Sequence, residues 1–265
     1  MSTPKVSIVT PSFNQAKFLP ATLRSVCEQD YPHIEHIVVD GGSTDGTVDI
    51  LRTAPRIRWV SEPDRGQVHA VNKGFAMATG DILAWLNSDD TMNPNTVSTA
   101  VAALQRSGVD LVFGDVEIVD ENGKPLKLVR GIPFDFRILL YGIDYIGQQT
   151  VFFRRELLQR AGALREEFDN SFDYELWLRF AGHGKLLFVP GLRAQIRYHE
   201  VAKSVARANV TAENNGRIRA EYWSQGGWPR FFQRQPWFLL PNSWYRLKRQ
   251  VVARVRYARG KDGSS

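Results

Sequence analysis

Residues 34–47 read Ile-Glu-His-Ile-Val-Val-Asp40-Gly-Gly-Ser-Thr-Asp45-Gly-Thr47. An apolar run of strand length ends on a carboxylate, and a glycine-rich turn leads from there into a helical pattern around Thr47–Arg52. Short apolar runs of this kind suit strands buried on both faces of a parallel sheet. The two glycines let backbone come close to a ligand.

The same joint recurs on both sides of it. Upstream, Val6–Thr10 is a strand broken by Pro11-Ser-Phe-Asn14, with a helix following to about Gln29. Downstream come a strand at Arg56–Ser61, an amphipathic helix at Gln67–Ala78 and a strand at Asp81–Leu86. Asn93-Pro94 then reads as an N-cap with proline at the first helical position, opening a helix to about Gln105. Strands and helices alternating at this rhythm predict βαβ units and a mostly parallel sheet.

After residue 110 the pattern changes. Leu111–Asp120 and Pro125–Val129 flank Glu-Asn-Gly, a hairpin signal. Gln149–Phe153 and Leu186–Val189 read as strands and Ala194–Tyr198 as a further strand-like run, with helices at Glu156–Ala161 and Tyr174–Ala181.

Four aspartates mark the chemistry. Asp40, Asp89 and Asp90 end apolar runs, and Asp173 begins a helix as its N-cap. In open α/β sheets, ligands bind outside the carboxyl ends of the strands, so such side chains are expected in one crevice. Adjacent Asp89 and Asp90 repel each other unless a cation or hydrogen-bond donors compensate them. Hard cations such as Mg²⁺ are held by one or two carboxylates plus substrate phosphates. Asp64-Arg65, in Ser-Glu-Pro-Asp-Arg-Gly, is a further polar loop after a strand, equally readable as a plain turn. His199 follows the last strand-like run, ahead of Lys203 and Ser204; neutral imidazole there can coordinate a metal.

Composition sets the bounds. The 265 residues are 43% hydrophobic and 23% charged, as in an ordinary globular protein. The single cysteine, Cys27, excludes an intrachain disulfide and falls in a helical pattern as a buried, inert thiol. No secretory signal or membrane-length apolar run is present, so a cytoplasmic protein is expected. The net charge of +6 is concentrated in residues 211–265, where eleven Lys/Arg face three acids. Trp223, Trp228, Trp237 and Trp244 lie in the same stretch. Basic residues mixed with tryptophan suit contact with an anionic membrane surface, on the inner face, and hence a lipid-linked or other glycan acceptor; the alternative reading is that the aromatics pack on the body and the charges are solvated. They form no nucleic-acid-binding module, so no nucleic acid partner is expected.

In order, VSIVTPSFNQ, IEHIVVDGGSTDGT, SEPDRGQVHAVNKGF, GDILAWLNSDD and FDYELWLR resemble glycosyltransferase family 2 over roughly residues 4–205. The resemblance implies the GT-A fold: a Rossmann-like, mostly parallel sheet flanked by helices, here followed by a helical, basic and aromatic extension. It divides the chain into a transferase domain at 1–205, with a nucleotide-binding part at about 1–110 and an acceptor part at about 111–205, and the extension at 206–265. It implies an inverting, metal-dependent transfer from a nucleotide-sugar donor, with Mg²⁺ or Mn²⁺ as cofactor. Pro11 and Asn14 match the loop that touches the nucleotide, Asp40 the aspartate that bonds the base, and Asp64 the acid of the next nucleotide-side loop. Asp89 would lie by the ribose and sugar, Asp90 would hold the metal, His199 would stand near metal and diphosphate, and Asp173 matches the general base. Asn87 and Phe172 stand where many members carry acids, which keeps open a catalytically weak nucleotide-sugar-binding protein of the same fold. A sugar-phosphate nucleotidyltransferase is disfavoured, because PSFNQAKF lacks a glycine-rich, basic loop.

Overall fold

β1 (Val6–Ser12) is buried along its whole length and lies between two parallel neighbours, β2 (Ile34–Asp40) and β4 (Ile82–Trp85). The structure is a computed structural model that describes residues 3–106, 108–199 and 208–225. β3 (Ile57–Ser61) adds in parallel to β2. The helices α1 (Leu19–Cys27), α2 (Thr47–Thr53) and α3 (Gln67–Met77) connect these strands. The order β3-β2-β1-β4 is that of a doubly wound nucleotide-binding sheet. The helix α3 lies so close to β1 that a Cβ on Gly74 would sit 2.3 Å from Val9 Cγ1.

The second half continues the same sheet. β6 (Leu111–Val119) and β7 (Pro125–Val129) form the expected hairpin. β8 (Phe152–Arg154) joins β4 to β6 in antiparallel pairing, and β9 (Leu186–Arg197) runs parallel to β6. β5 (Thr91–Met92) crosses to pair with β9. The remaining helices are α4 (Thr96–Leu104), α5 (Phe136–Tyr141), α6 (Arg155–Ala161), α7 (Phe172–Ala181) and α8 (Ala208–Gln225).

Several local expectations are corrected. Asn93 does not cap α4, because residues 91–92 are drawn into β5 and the helix starts at Thr96. Its exposed N–H groups are met from outside instead: Gln29 Oε1 accepts from Val97 N at 3.0 Å. Gln148–Thr150 is a 3-10 turn, so the strand there begins only at Phe152. The two runs at 186–189 and 194–198 are one long strand, β9, carried through Gly191 at φ 85°. Cys27 is exposed, since α1 turns Val26 rather than Cys27 inward. Among the described residues, no helix is long and apolar enough to cross a membrane. Lys203, Ser204, Trp228, Trp237, Trp244 and most of the tail's charge lie outside the described residues, as does the membrane-contact expectation they carry.

Candidate active site

The carboxylate loop follows β4. Asp90 is 2% exposed, yet its side chain is well supplied with donors. Its Oδ1 accepts from Arg197 N at 3.0 Å, and its Oδ2 from Gln149 Nε2 at 2.8 Å and Asn87 Nδ2 at 3.3 Å. Burial and then the neighbouring Asp89 charge push its pKa up, and these donors only partly oppose the rise. Asp89 is more open and faces His199, whose Nε2 lies 3.0 Å from Asp89 Oδ2. His199 is therefore on Asp89, where sequence reasoning grouped it with Asp90.

Two residues invisible to the motifs hold this loop. The Arg197 guanidinium donates to the carbonyls of Asp89, Asp120 and Glu121, and lies over the Phe18 ring. It fastens the β6–β7 turn to the carboxylates. From the other side, Thr22 Oγ1 on α1 is within 2.9 Å of the carbonyls of both Ser88 and Asp90.

At the ends of β1 and β2 the predicted residues divide. Asp64 lines the cleft, packed so tightly on Gly41 that a Cβ there would lie 2.9 Å from its Oδ2; its Oδ1 accepts from Gly66 N. Pro11 also lines it, beside Phe13, which is 60% exposed and was missed. Asp40 is fully buried beneath this surface, with oxygens that accept from Gly42 N, Ser43 N, Ser43 Oγ and Ser61 Oγ. Asn14, at φ 53°, ties the β1 loop to the glycine turn: its Oδ1 accepts from Thr44 N, and its N donates to Ser43 Oγ. Neither Asp40 nor Asn14 lines the cleft; their hydrogen bonds lie within the loops behind its wall.

Across the cleft, Asp173 lies in the first turn of α7, not at its cap, which is Ser171. The helix N-terminus favours a carboxylate there, and Asp173 Oδ1 accepts from Tyr174 N at 2.8 Å. The helix is anchored by Trp177 stacked on Trp85, with centroids 5.3 Å apart, and by Phe172 against the same Trp85. One cleft of about 960 Å³ thus carries Asp64, Asp89, Asp90, His199 and Asp173 on its walls.

The sequence model of Glycosyl transferase family 2 matches residues 7–164. The chain belongs to this family. An uncharacterized glycosyltransferase of Mycobacterium tuberculosis is 40% identical over 188 residues, covering 68% of this chain and 70% of that protein. A PGL/p-HBAD biosynthesis glycosyltransferase of Mycobacterium bovis is 34% identical over 186 residues, with the same coverage. Among solved structures, a mannosyltransferase from Pyrobaculum calidifontis in complex with GDP-Man and Mn²⁺ superposes with a TM-score of 0.67. It is 24% identical and covers 97% of this chain and 76% of its own. Residues 1–349 of S. aureus TarS in complex with UDP-GlcNAc give a TM-score of 0.64 at 19% identity, over 89% and 75% of the two chains. The architecture is the GT-A fold of family 2 glycosyltransferases.

For a family 2 enzyme the question of a divalent cation falls on the carboxylate loop. Among the described residues no three His, Cys, Asp or Glu side chains form a ready coordination cluster. The donors present still suit such an ion. Two adjacent carboxylates, one buried and pushed toward protonation, are short of positive charge. His199 Nδ1 is buried without a hydrogen-bond partner among the described residues. One or two carboxylates completed by substrate phosphates is a common arrangement for Mg²⁺.

Proposed function

We propose that this family 2 glycosyltransferase moves a sugar from a nucleoside-diphosphate donor to an acceptor hydroxyl with inversion. The supporting observation is the shared cleft, with nucleotide-side loops on one wall and the Asp173 carboxylate on the other. Phe13 offers a base an exposed aromatic surface, and Asp64 on Gly41 offers hydrogen-bond acceptors. In this reading Pro11 and Asp64 touch the nucleotide, while Asn14 and Asp40 shape the loops that do so. Asp89 and Asp90 would hold Mg²⁺ or Mn²⁺ beside His199, and such an ion neutralises charge on a departing diphosphate.

Asp173 takes the proton of the acceptor hydroxyl as general base. The acceptor oxygen bonds to the anomeric carbon while that carbon's bond to the diphosphate breaks, and the electron pair leaves with the nucleotide. Asp173 serves only as base in this reading, and a single displacement inverts the configuration. An α-linked donor then gives a β-linked product. The relatives support a nucleotide-sugar donor, because two structural neighbours were solved with GDP-Man and UDP-GlcNAc. In the domain division that accompanies this reading, residues 1–110 bind the nucleotide, 111–205 serve the acceptor and 206–265 form the extension. A lipid-linked or glycan acceptor at the cytoplasmic membrane face completes the proposal, and flotation with anionic liposomes tests its location.

Thermal melting with UDP-, GDP- and dTDP-sugars, with and without Mn²⁺, tests the donor, since a ligand that binds only the folded state raises its stability. One donor is expected to stand out, and NMR of its product to show the opposite anomer. A protein that no nucleotide sugar stabilises, or a product of retained configuration, would overturn the reading.

A further inference from the structure

Gln148 and Gln149 are adjacent in the 3-10 turn before β8, and both are buried residues that line the cleft. They are bonded to different parts of it. Gln149 Nε2 donates to Asp90 Oδ2. Gln148 Nε2 donates to the Trp85 carbonyl at 2.7 Å, at the end of β4. The Trp85 ring in turn packs against Phe172, the residue before Asp173, with centroids 6.0 Å apart. Gln148 thus stands one residue from the partner of Asp90 and one packed ring from the neighbour of Asp173.

The bond to Trp85 settles which end of the amide is which. A carbonyl oxygen only accepts, so the amide nitrogen faces it and the amide oxygen is left over. That oxygen, Gln148 Oε1, is buried and has no hydrogen-bond partner among the described residues. An unpaired buried acceptor is costly, so its persistence needs a reason. The turn has little room to relax and satisfy it. Gly114 N donates to Thr150 Oγ1 at 2.9 Å, and a Cβ on Gly147 would lie 2.0 Å from Val116 Cγ2. Two more residues that line the cleft hold buried polar atoms in the same condition, Ser12 Oγ and Trp85 Nε1. An acceptor, a donor and a hydroxyl, none of them charged, match a ligand whose groups both donate and accept, as sugar hydroxyls do.

A sugar in transit lies between the departing diphosphate and the base that activates its acceptor. Gln148 stands in that interval. We propose that Gln148 is a specificity-determining residue for the donor, its Oε1 accepting a hydrogen bond from one hydroxyl of the transferred sugar. This assignment rests on the transferase reading above and deepens it at the same cleft.

Isothermal titration of the full chain with Mn²⁺ tests this, with UDP-glucose, GDP-mannose and dTDP-glucose as probes. Each is compared with its free nucleoside diphosphate and with its monodeoxyfluoro analogues, in which one sugar hydroxyl at a time no longer donates. For the donor that binds, one analogue is expected to bind about tenfold more weakly than its parent, as for one lost hydrogen bond to a buried oxygen. Gln148→Met keeps the length of the side chain without the amide oxygen. It should weaken the parent by the same factor, bind that analogue no worse than the parent, and leave the nucleoside diphosphate affinity unchanged. Gln148→Leu carries the same expectations if methionine prevents folding. The wild type also decides by itself, since equal affinity for the parent and all its analogues overturns the proposal. So does a variant that weakens the diphosphate and its sugar alike, or an analogue penalty that persists in the variant. A parent affinity indifferent to residue 148, the result if trapped water satisfies Oε1, overturns it too. If the nucleotide sugars bind and residue 148 does not respond, only this assignment falls; if none of them binds, the transferase reading falls with it.

Discussion

In the proposed mechanism the chemistry turns on Asp173. Asp173→Asn keeps the shape of the α7 turn but removes the basic oxygen. Transfer is expected to fall by about 10²–10⁴-fold in a coupled nucleotide-release assay, while the donor-induced melting shift persists. Loss of both together would place Asp173 in donor binding instead. His36 makes a different prediction. Its imidazole is buried in β2 with Thr10 Oγ1 at 2.9 Å, and burial holds its pKa down to about 4 from 6.5. The unfolded chain takes up a proton near 6.5 while the folded one does not until about 4, so stability is complete above 6.5 and is lost as pH falls through that window. By pH 5 the loss is about 2 kcal/mol in urea denaturation, and His36→Gln should remove that dependence. At this scale the sequence marks Asp89, Asp90 and Asp173 because each adjoins an element boundary, which a local pattern reveals. It does not mark Arg197, whose importance arises only where the carboxylate loop and the β6–β7 turn, distant in the chain, meet around one guanidinium.

Elements differ in how far their residues announce them. β1 to β4 and the helices between them are legible because each depends on periodicity within a few residues. β5 is not: two residues form a strand only because β9, a hundred positions later, pairs with them. The inner face of α8 was equally hidden, since Ala-Glu-Asn-Asn-Gly reads as solvated and only the i, i+4 pair Ile218 and Tyr222 betrays a packed side. Ile218→Ala should therefore cost about 2–5 kcal/mol by chemical denaturation, much more than an exposed helix position would. At the α3–β1 contact, Gly74→Ala forces a methyl group onto Val9, and overpacking of this sort costs about 1–3 kcal/mol. An unchanged melting temperature in that variant would mean that α3 lies farther from the sheet.

Across the described residues, one sheet carries the strands of both halves, so in the proposed reading the nucleotide wall and the acceptor wall share a single support. Ligands that bridge those walls should stabilise the entire fold. Mn²⁺ with donor is expected to raise the melting temperature of the wild type, and Asp90→Ala to abolish the metal-dependent part of the rise; an undiminished metal effect in that variant would place the ion elsewhere. The overall α/β order was readable because it follows from many local signals in sequence. The depth of Asp40 below the cleft was not, because it depends on how the glycine turn folds back over the strand end. The exposed thiol of Cys27 has a practical sequel. As the sole cysteine of the chain, it accepts a maleimide dye without any mutation. That dye would ride on α1, the helix whose Thr22 grips the backbone at Ser88 and Asp90. Fluorescence from one natural position would then follow, in real time, the arrival of a ligand at the carboxylate loop.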